Sequence, residues 1–247
     1  MKFLETPNLP KNKVTAVIVS CNINPESEYT LNEFGIEVVK IKPNSKLYNA
    51  VKTHPDMQIY YCGRGEFICN NEAINSIEGY IPPKNICSGN ELSIKYPYDI
   101  AYNAARVGGY LICNREYTDK NILLDAENKG LEIINVKQGY AKCNICILSD
   151  KAIITSDFGI QTALANFPID VLLVEDNTVS LKDFSHGFIG GSTGKISEDK
   201  LAVNGNIKLH KYSKEIITFA RKYNVEIVSL NNEYIEDIGS ILPILEK

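Results

Sequence analysis

The sequence has no tryptophan, two methionines and three histidines, and its basic residues are scattered. Each scarcity removes a class of function. With 26 Lys and Arg against 30 Asp and Glu the net charge is -4, and no Arg/Lys block supplies the positive footprint that nucleic acid requires. No charged segment near the start leads into a long apolar run. The longest early apolar stretch, Val14–Val19, has the length of a strand and is too short for export or a membrane span. The chain is therefore expected to be cytoplasmic, without a membrane partner. The seven cysteines are odd in number and sit mostly in apolar runs, which fits reduced, buried thiols rather than a disulfide framework. Cys143 and Cys146 form the sole CxxC pair; on an extended strand they would face opposite ways, so no metal site and no cofactor is expected.

What is present is a recurring unit. At 247 residues, with 44% hydrophobic and 23% charged residues, the chain can bury a substantial core and should expose roughly 11,000 Å² as a compact monomer. The clearest unit is Val136–Thr155: a polar approach, a predicted strand at Asn144–Leu148, a Ser149–Asp150 turn and a return strand at Ala152–Thr155. The same plan recurs at His54–Ile68, Asp99–Cys113 and His186–Val203, the last with Gly191–Lys195 expected as an insertion. Helices are predicted at Tyr29–Phe34, Glu72–Ile77, Asp119–Lys129, Asp157–Asn166 and Tyr212–Tyr223, several ending at Gly or before Pro.

Strands entering an approach begin at Ile36, Asn85, Leu131, Val171 and Val225, which makes five units. The fifth, ending in Ile241–Leu245, lacks a return strand, and Val14–Val19 is a spare one. Pairing the two closes a ring and removes exposed sheet edges. Approximate units are 29–79, 80–130, 131–168, 169–223, and 224–247 together with 1–28, all within one domain spanning 1–247. An open α/β sheet is the alternative, but short helices and frequent hairpins argue against long strand–helix alternation.

Five ββαβ-like units in this order resemble the pentein fold, the five-bladed α/β propeller of the guanidine-modifying enzyme superfamily. The chain is also similar to an uncharacterised bacterial family grouped with it. The resemblance implies approaches converging on a central pocket, with a fourth-unit histidine moving protons, acids gripping a guanidinium and a fifth-unit cysteine as nucleophile. His186 matches the histidine, while His54, Asp56 and Asp99 fall in the approaches where substrate-binding acids are found. Two departures stand out. The third-unit acidic, glycine-rich segment is replaced by Lys142-Cys143-Asn144-Ile145, and the fifth unit reads Glu236-Asp237-Ile238-Gly239-Ser240, with no cysteine after Cys146.

Cys143, at the end of an approach, is the best substitute nucleophile, although a buried cysteine is more often a small hydrophobe. Ser240 lies nearer the expected position but needs strong activation. His186 is a base candidate. His54, Asp56, Asp99, Asn103 and Asn144 are the candidate ligand-binding residues, the acids suiting a cationic guanidine or amine unless Lys137, Lys142 or Arg106 neutralises them. Gly190–Lys195 lacks the Ser/Thr and the following helix of a phosphate loop. Of the fourteen tyrosines, Tyr60, Tyr61, Tyr98, Tyr102 and Tyr140 are expected near the approaches. Two functions follow. The first is a small-ligand-binding or structural protein without covalent catalysis, for which a homo-oligomer is compatible. The second is a divergent guanidine/amidine hydrolase or amidinotransferase using His186 with Asp56 or Asp99 and Cys143.

Overall fold

The unbroken apolar run at Val14–Ser20 has a direct cause in the computed structural model, which describes residues 1–175 and 177–247. After a short edge strand, β1 (Lys2–Phe3), this run forms β2 (Val14–Ser20). Helix α1 (Pro25–Glu33) then crosses over to β3 (Glu37–Ile41), which pairs parallel to β2. Four more units repeat one order: hairpin, helix, parallel strand. They are β4 (Ile59–Gly63), β5 (Glu66–Cys69), α2 (Asn71–Ile77) and β6 (Ile86–Ser88); then β7 (Ala105–Val107), β8 (Tyr110–Cys113), α3 (Lys120–Asn128) and β9 (Glu132–Asn135). Next come α4 (Ala141–Asn144), β10 (Cys146–Ser149), β11 (Ala152–Thr155), α5 (Phe158–Leu164) and β12 (Asp170–Leu173). The fourth unit has β13 (Thr193–Ser197), β14 (Lys200–Val203), α6 (Ser213–Lys222) and β15 (Glu226–Ser229). The chain then enters β16 (Leu242–Glu246), which returns to lie antiparallel to β2 with Leu242 opposite Ile18 and Glu246 opposite Val14.

The result is a five-bladed pentein-like propeller in which the N-terminal strand completes the fifth blade. In β2 both faces are covered. Ala16 and Ile18 pack with Leu242, Ile244 and Phe67 between the fifth and first blades, whereas Val14, Val17 and Val19 pack with Ile196, Ala202 and Ile238 between the fourth and fifth. Successive strand residues point to opposite faces, so a strand wedged between two blades is apolar on both, as Val14 and residues 16–19 are, with Thr15 and Ser20 the polar exceptions. Three further clusters fill the remaining joints between neighbouring blades, and the ring is thereby closed by five interblade cores. Its accessible surface, 10824 Å², agrees with a compact chain. Asn24, Asn70, Asp119 and Asp157 start four of the crossover helices by accepting a backbone N–H two or three residues on. Among the described residues, no helix is long and apolar enough to cross a membrane.

Four local expectations change. Helix α1 starts at Pro25, four residues before the predicted Tyr29, because Asn24 caps it and a proline fits the first turn. The predicted Asn144–Leu148 strand is preceded by a helical turn, α4, so Cys143 lies on a helix and Cys146 on β10. The tight turn of that hairpin moves from Ser149–Asp150 to Asp150–Lys151, since Ser149 pairs with Ala152. Gly191–Lys195 is no insertion, because Thr193 already pairs with Val203 in β13. The glycines there answer to close contacts. A Cβ at Gly190 would sit 2.5 Å from the Ile145 carbonyl, and one at Gly194 would sit 1.9 Å from the Ile241 carbonyl oxygen.

Candidate functional site

Each blade sends the segment before its first hairpin strand to the middle of the ring. The first contributes His54 and a tight turn at Pro55–Met57, whose proline fixes the backbone. The second contributes Asn103, the third Lys142 and Cys143 on α4, and the fourth the Gly190–Ser192 turn. The fifth contributes Asp237 and Ser240. These side chains are almost wholly buried, with Lys142 the most exposed at 6%.

They meet in one hydrogen-bonded cluster. Ser240 Oγ donates to Asp56 Oδ2 at 2.6 Å, and Lys142 Nζ donates to Ser240 Oγ at 2.8 Å. The Cys143 thiol donates to the same Asp56 oxygen at 3.2 Å. Asn103 holds α4 in place: its Oδ1 accepts from the backbone N–H of Lys142 (2.7 Å) and of Cys143 (3.2 Å), and its Nδ2 lies 3.0 Å from Cys143 Sγ. Asp237 is fixed by the N–H groups of Phe188 (2.9 Å) and Gly239 (3.0 Å). Its Oδ1 stands 3.7 Å from His54 Nδ1, too far for a hydrogen bond. Ser240 adopts φ +77°, a left-handed conformation rare for serine, and its N–H bonds the Gly191 carbonyl at 2.6 Å. Such strain is often found at functional positions.

The buried His54, Asp56 and Cys143 each present a ligating atom within 4.8 Å of the other two. His54 Nδ1 and Asp56 Oδ1 are buried with no hydrogen-bond partner among the described residues. Burial governs the proton affinities. It lifts the Asp56 carboxyl above the ordinary range, opposed by Lys142, His54 and the Ser240 hydrogen bond. It raises Asp237 to about 6 despite the two N–H donors, and lowers His54 to about 4 although Asp56 pulls the other way. The Cys143 thiol is pushed well above its ordinary value by burial, then by Asp56 and Asp237. A polar cavity of about 310 Å³ reaches the cluster from one side, lined by His54, Asp237, Thr53, Ser20, Asn22 and Glu236.

Of the residues singled out in the sequence, His54, Asp56, Asn103 and Cys143 come together here. Asp99 and His186 make no hydrogen bond to the cluster among the described residues. Asp99 is buried beneath Tyr140, whose hydroxyl donates to Oδ2 at 2.7 Å; its Oδ1 has no partner among the described residues, and burial raises its carboxyl. A row of rings runs from Tyr96 to Tyr140 (5.8 Å), Phe188 (6.2 Å) and His186 (6.0 Å), and His186 Nδ1 lies 3.0 Å from Ser185 Oγ. Asn144 is buried and accepts from Ser156 Oγ. Tyr60, Tyr61 and Tyr102 are core residues, whereas Tyr98 is 60% exposed. Asp237 carries no assigned role in the sequence reading, where Lys142 stands only as a neutralising group and Ser240 as a weak nucleophile. The one available signal was their position in approach segments, because no local spacing joins residues 56, 142, 237 and 240.

The thiol–carboxylate contact beside an imidazole fits covalent chemistry at an electrophilic carbon better than it fits a site without a nucleophile, the first of the two functions drawn from the sequence. Three solved structures of similar fold are each of low identity. An agmatine deiminase of C. jejuni is 12% identical with a TM-score of 0.56, covering 99% of this chain and 96% of its own. An amidinotransferase of the saxitoxin biosynthetic pathway from Microseira wollei is 11% identical with a TM-score of 0.54, covering 94% and 92%. The Pseudomonas aeruginosa DDAH, in complex with citrulline, is 9% identical with a TM-score of 0.53, covering 88% and 93%. The fold is thus that of the guanidine-modifying enzymes. No curated protein is similar in sequence. A family model matches residues 18–242, nearly the whole propeller, and the chain accordingly belongs to DUF6873, a family of unknown function.

Proposed function

We propose that the chain is a divergent guanidine- or amidine-modifying enzyme whose nucleophile is Cys143, in the third blade, instead of a fifth-blade cysteine. The observation that carries this is the 3.2 Å contact from Cys143 Sγ to Asp56 Oδ2, with His54 beside both. A cationic guanidinium or amidinium entering by the His54–Asp237 cavity would be drawn to the carboxylates, and its charge would favour the thiolate against the cost of burial. Asp56 takes the thiol proton as sulfur bonds to the amidine carbon. Asp56 returns that proton to the amine as the carbon–nitrogen bond breaks. Water then adds its oxygen to the carbon as the carbon–sulfur bond breaks, Asp56 passing the water's proton to sulfur to restore the thiol. Transfer to a second amine in place of water would make the enzyme an amidinotransferase.

The test is release of ammonia or amine, with formation of a ureido product, from agmatine, arginine and methylated arginines. Wild type should turn over at least one of them. Cys143→Ala should fall to background, with Ser240→Ala and His186→Ala run in parallel. Turnover by Cys143→Ala at the wild-type rate refutes the assignment.

One observation favours a second reading. Cys143 is 3% exposed, and its thiol is held neutral by burial. As a structural clamp joining the blades, the cluster would give a Cys143→Ala variant that changes in stability, with no turnover in either protein.

A further inference from the structure

We propose that His54, Asp56 and Cys143 also form a three-donor site for one divalent cation of the zinc type, and that filling it withholds the Cys143 sulfur from covalent chemistry. The second half rests on the enzyme assigned above; the binding itself does not. Imidazole nitrogen, carboxylate oxygen and thiolate sulfur are the donors of catalytic zinc sites, which use three protein ligands and leave one position open. Thiolate with imidazole selects against magnesium and calcium, which take oxygen.

The spacing suits such an ion. Around tetrahedral zinc, with bonds of about 2.0–2.3 Å, donor atoms stand roughly 3.3–3.8 Å apart. Cys143 Sγ and Asp56 Oδ2 are 3.2 Å apart, and all three donors fall within 4.8 Å, so a side-chain shift of about 1 Å by His54 closes the set.

Two further observations point to a missing positive partner. His54 Nδ1 and Asp56 Oδ1 are buried polar atoms without a hydrogen-bond partner among the described residues, although such atoms are nearly always satisfied; with Nδ1 unprotonated, both are free to hold a cation. These residues are 2% and 1% exposed, in a place the fold builds from two different blades. A dication with one thiolate and one carboxylate is also electrically neutral, which makes burial far less costly than for the isolated charges. The polar 310 Å³ cavity that reaches His54 gives a hydrated ion an entry route.

The experiment uses the full chain, treated with chelator, with the two cysteines that are not buried, Cys21 and Cys87, replaced by serine. Cobalt(II) is titrated in as a spectroscopic probe and then displaced by zinc. One equivalent should bind with a sulfur-to-cobalt charge-transfer band. Cys143→Ser should abolish the band, while His54→Gln and Asp56→Asn should weaken binding at least about tenfold. His54→Gln retains the thiol and the side-chain bulk. It should melt at the parent's temperature without metal but lose the rise that zinc gives the parent, which covers the case of a Cys143→Ser variant that does not fold. Absence of a band in the parent, or a band unaltered in both Cys143→Ser and His54→Gln, overturns the site. Cobalt binding, with no turnover of any guanidine by the chelator-treated metal-free chain, supports this inference and removes the enzyme assignment. Turnover in chelator without a cobalt band does the opposite.

Discussion

Gly191→Ala isolates what holds the fifth-blade acid in the centre of the ring. A Cβ on Gly191 would lie 2.0 Å from Asp237 Oδ1 and 2.4 Å from its Cγ, about 1.4 Å short of ordinary contact. Gly191 does not have a positive φ, so alanine meets no backbone strain and the effect is purely one of space. The main chain cannot yield, because the Gly191 carbonyl accepts from Ile238 and Ser240. Asp237 must therefore move, and it gives up its bonds from the Phe188 and Gly239 N–H groups. Hydrogen bonds to an ionised group are worth about 1.5–3 kcal/mol each, so two of them give a loss of roughly 3–6 kcal/mol. In a chain of this length that lowers Tm by about 6–24 °C. Thermal unfolding followed by circular dichroism measures it, with Gly79→Ala as control, since a Cβ there meets nothing within 4 Å. A Gly191→Ala protein melting within about 2 °C of wild type would show that Asp237 is not locked as described.

Lys195 is 3% exposed, donates to the Leu148 and Glu198 carbonyls, and is lowered to about 8 by burial. The unfolded chain holds that proton more tightly, so wild type bears the cost of a buried ammonium below pH 8, about 3 kcal/mol, and sheds it between pH 8 and 10.5. Relative to Lys195→Met, wild type should gain stability in urea titrations from pH 7 to pH 10; parallel pH profiles would sink the argument. Tyr140→Phe removes the side-chain donor to Asp99 Oδ2, in a buried carboxyl whose Oδ1 already lacks a partner among the described residues. It should cost about 1–3 kcal/mol by chemical denaturation, and a loss below about 0.5 kcal/mol would contradict that. Ile18→Ala, in the strand pair that closes the ring, should cost about 2–5 kcal/mol and speed amide exchange in β16 as well as β2. Exchange unchanged in β16 would mean that the two strands do not stand or fall together.

What the sequence reveals here depends on whether the determining force is local. The run Val14–Ser20 was legible as a strand and as the closing piece of the fifth blade, because burial on both faces writes itself into every residue. The helix predicted at Asp119–Lys129 needed only its Asp119 cap and an apolar face. Cys143 stands at the end of the third approach as the sequence places it, but the extended CxxC geometry fails because a helical turn there is imposed by Asn103, about forty residues away in the chain. Gly191 and Gly194 read as part of an insertion, whereas they, with Gly190, answer to groups approaching from Ile145, Asp237 and Ile241. Asp56 and Cys143 could each be suspected alone. Their contact with one another, and with Lys142 and Ser240, exists only once the approaches have met, and no periodicity encodes that.

The joining of β2 to β16 has a temporal side. On a ribosome delivering about 5–20 residues per second, the partner of Ile18 emerges roughly 220 residues later, an interval of about 10–45 s. Throughout that interval one of the most apolar segments of the nascent polypeptide has a bare hydrogen-bonding edge, and the face that packs on Ile196 and Ala202 waits for most of it, which is the profile of an aggregation hotspot. Cellular yield should therefore depend on chaperone capacity more steeply than the thermal resistance of the finished molecule suggests. A circular permutant that fused β16 directly ahead of β2 would shorten the wait to seconds while leaving the assembled ring unaltered.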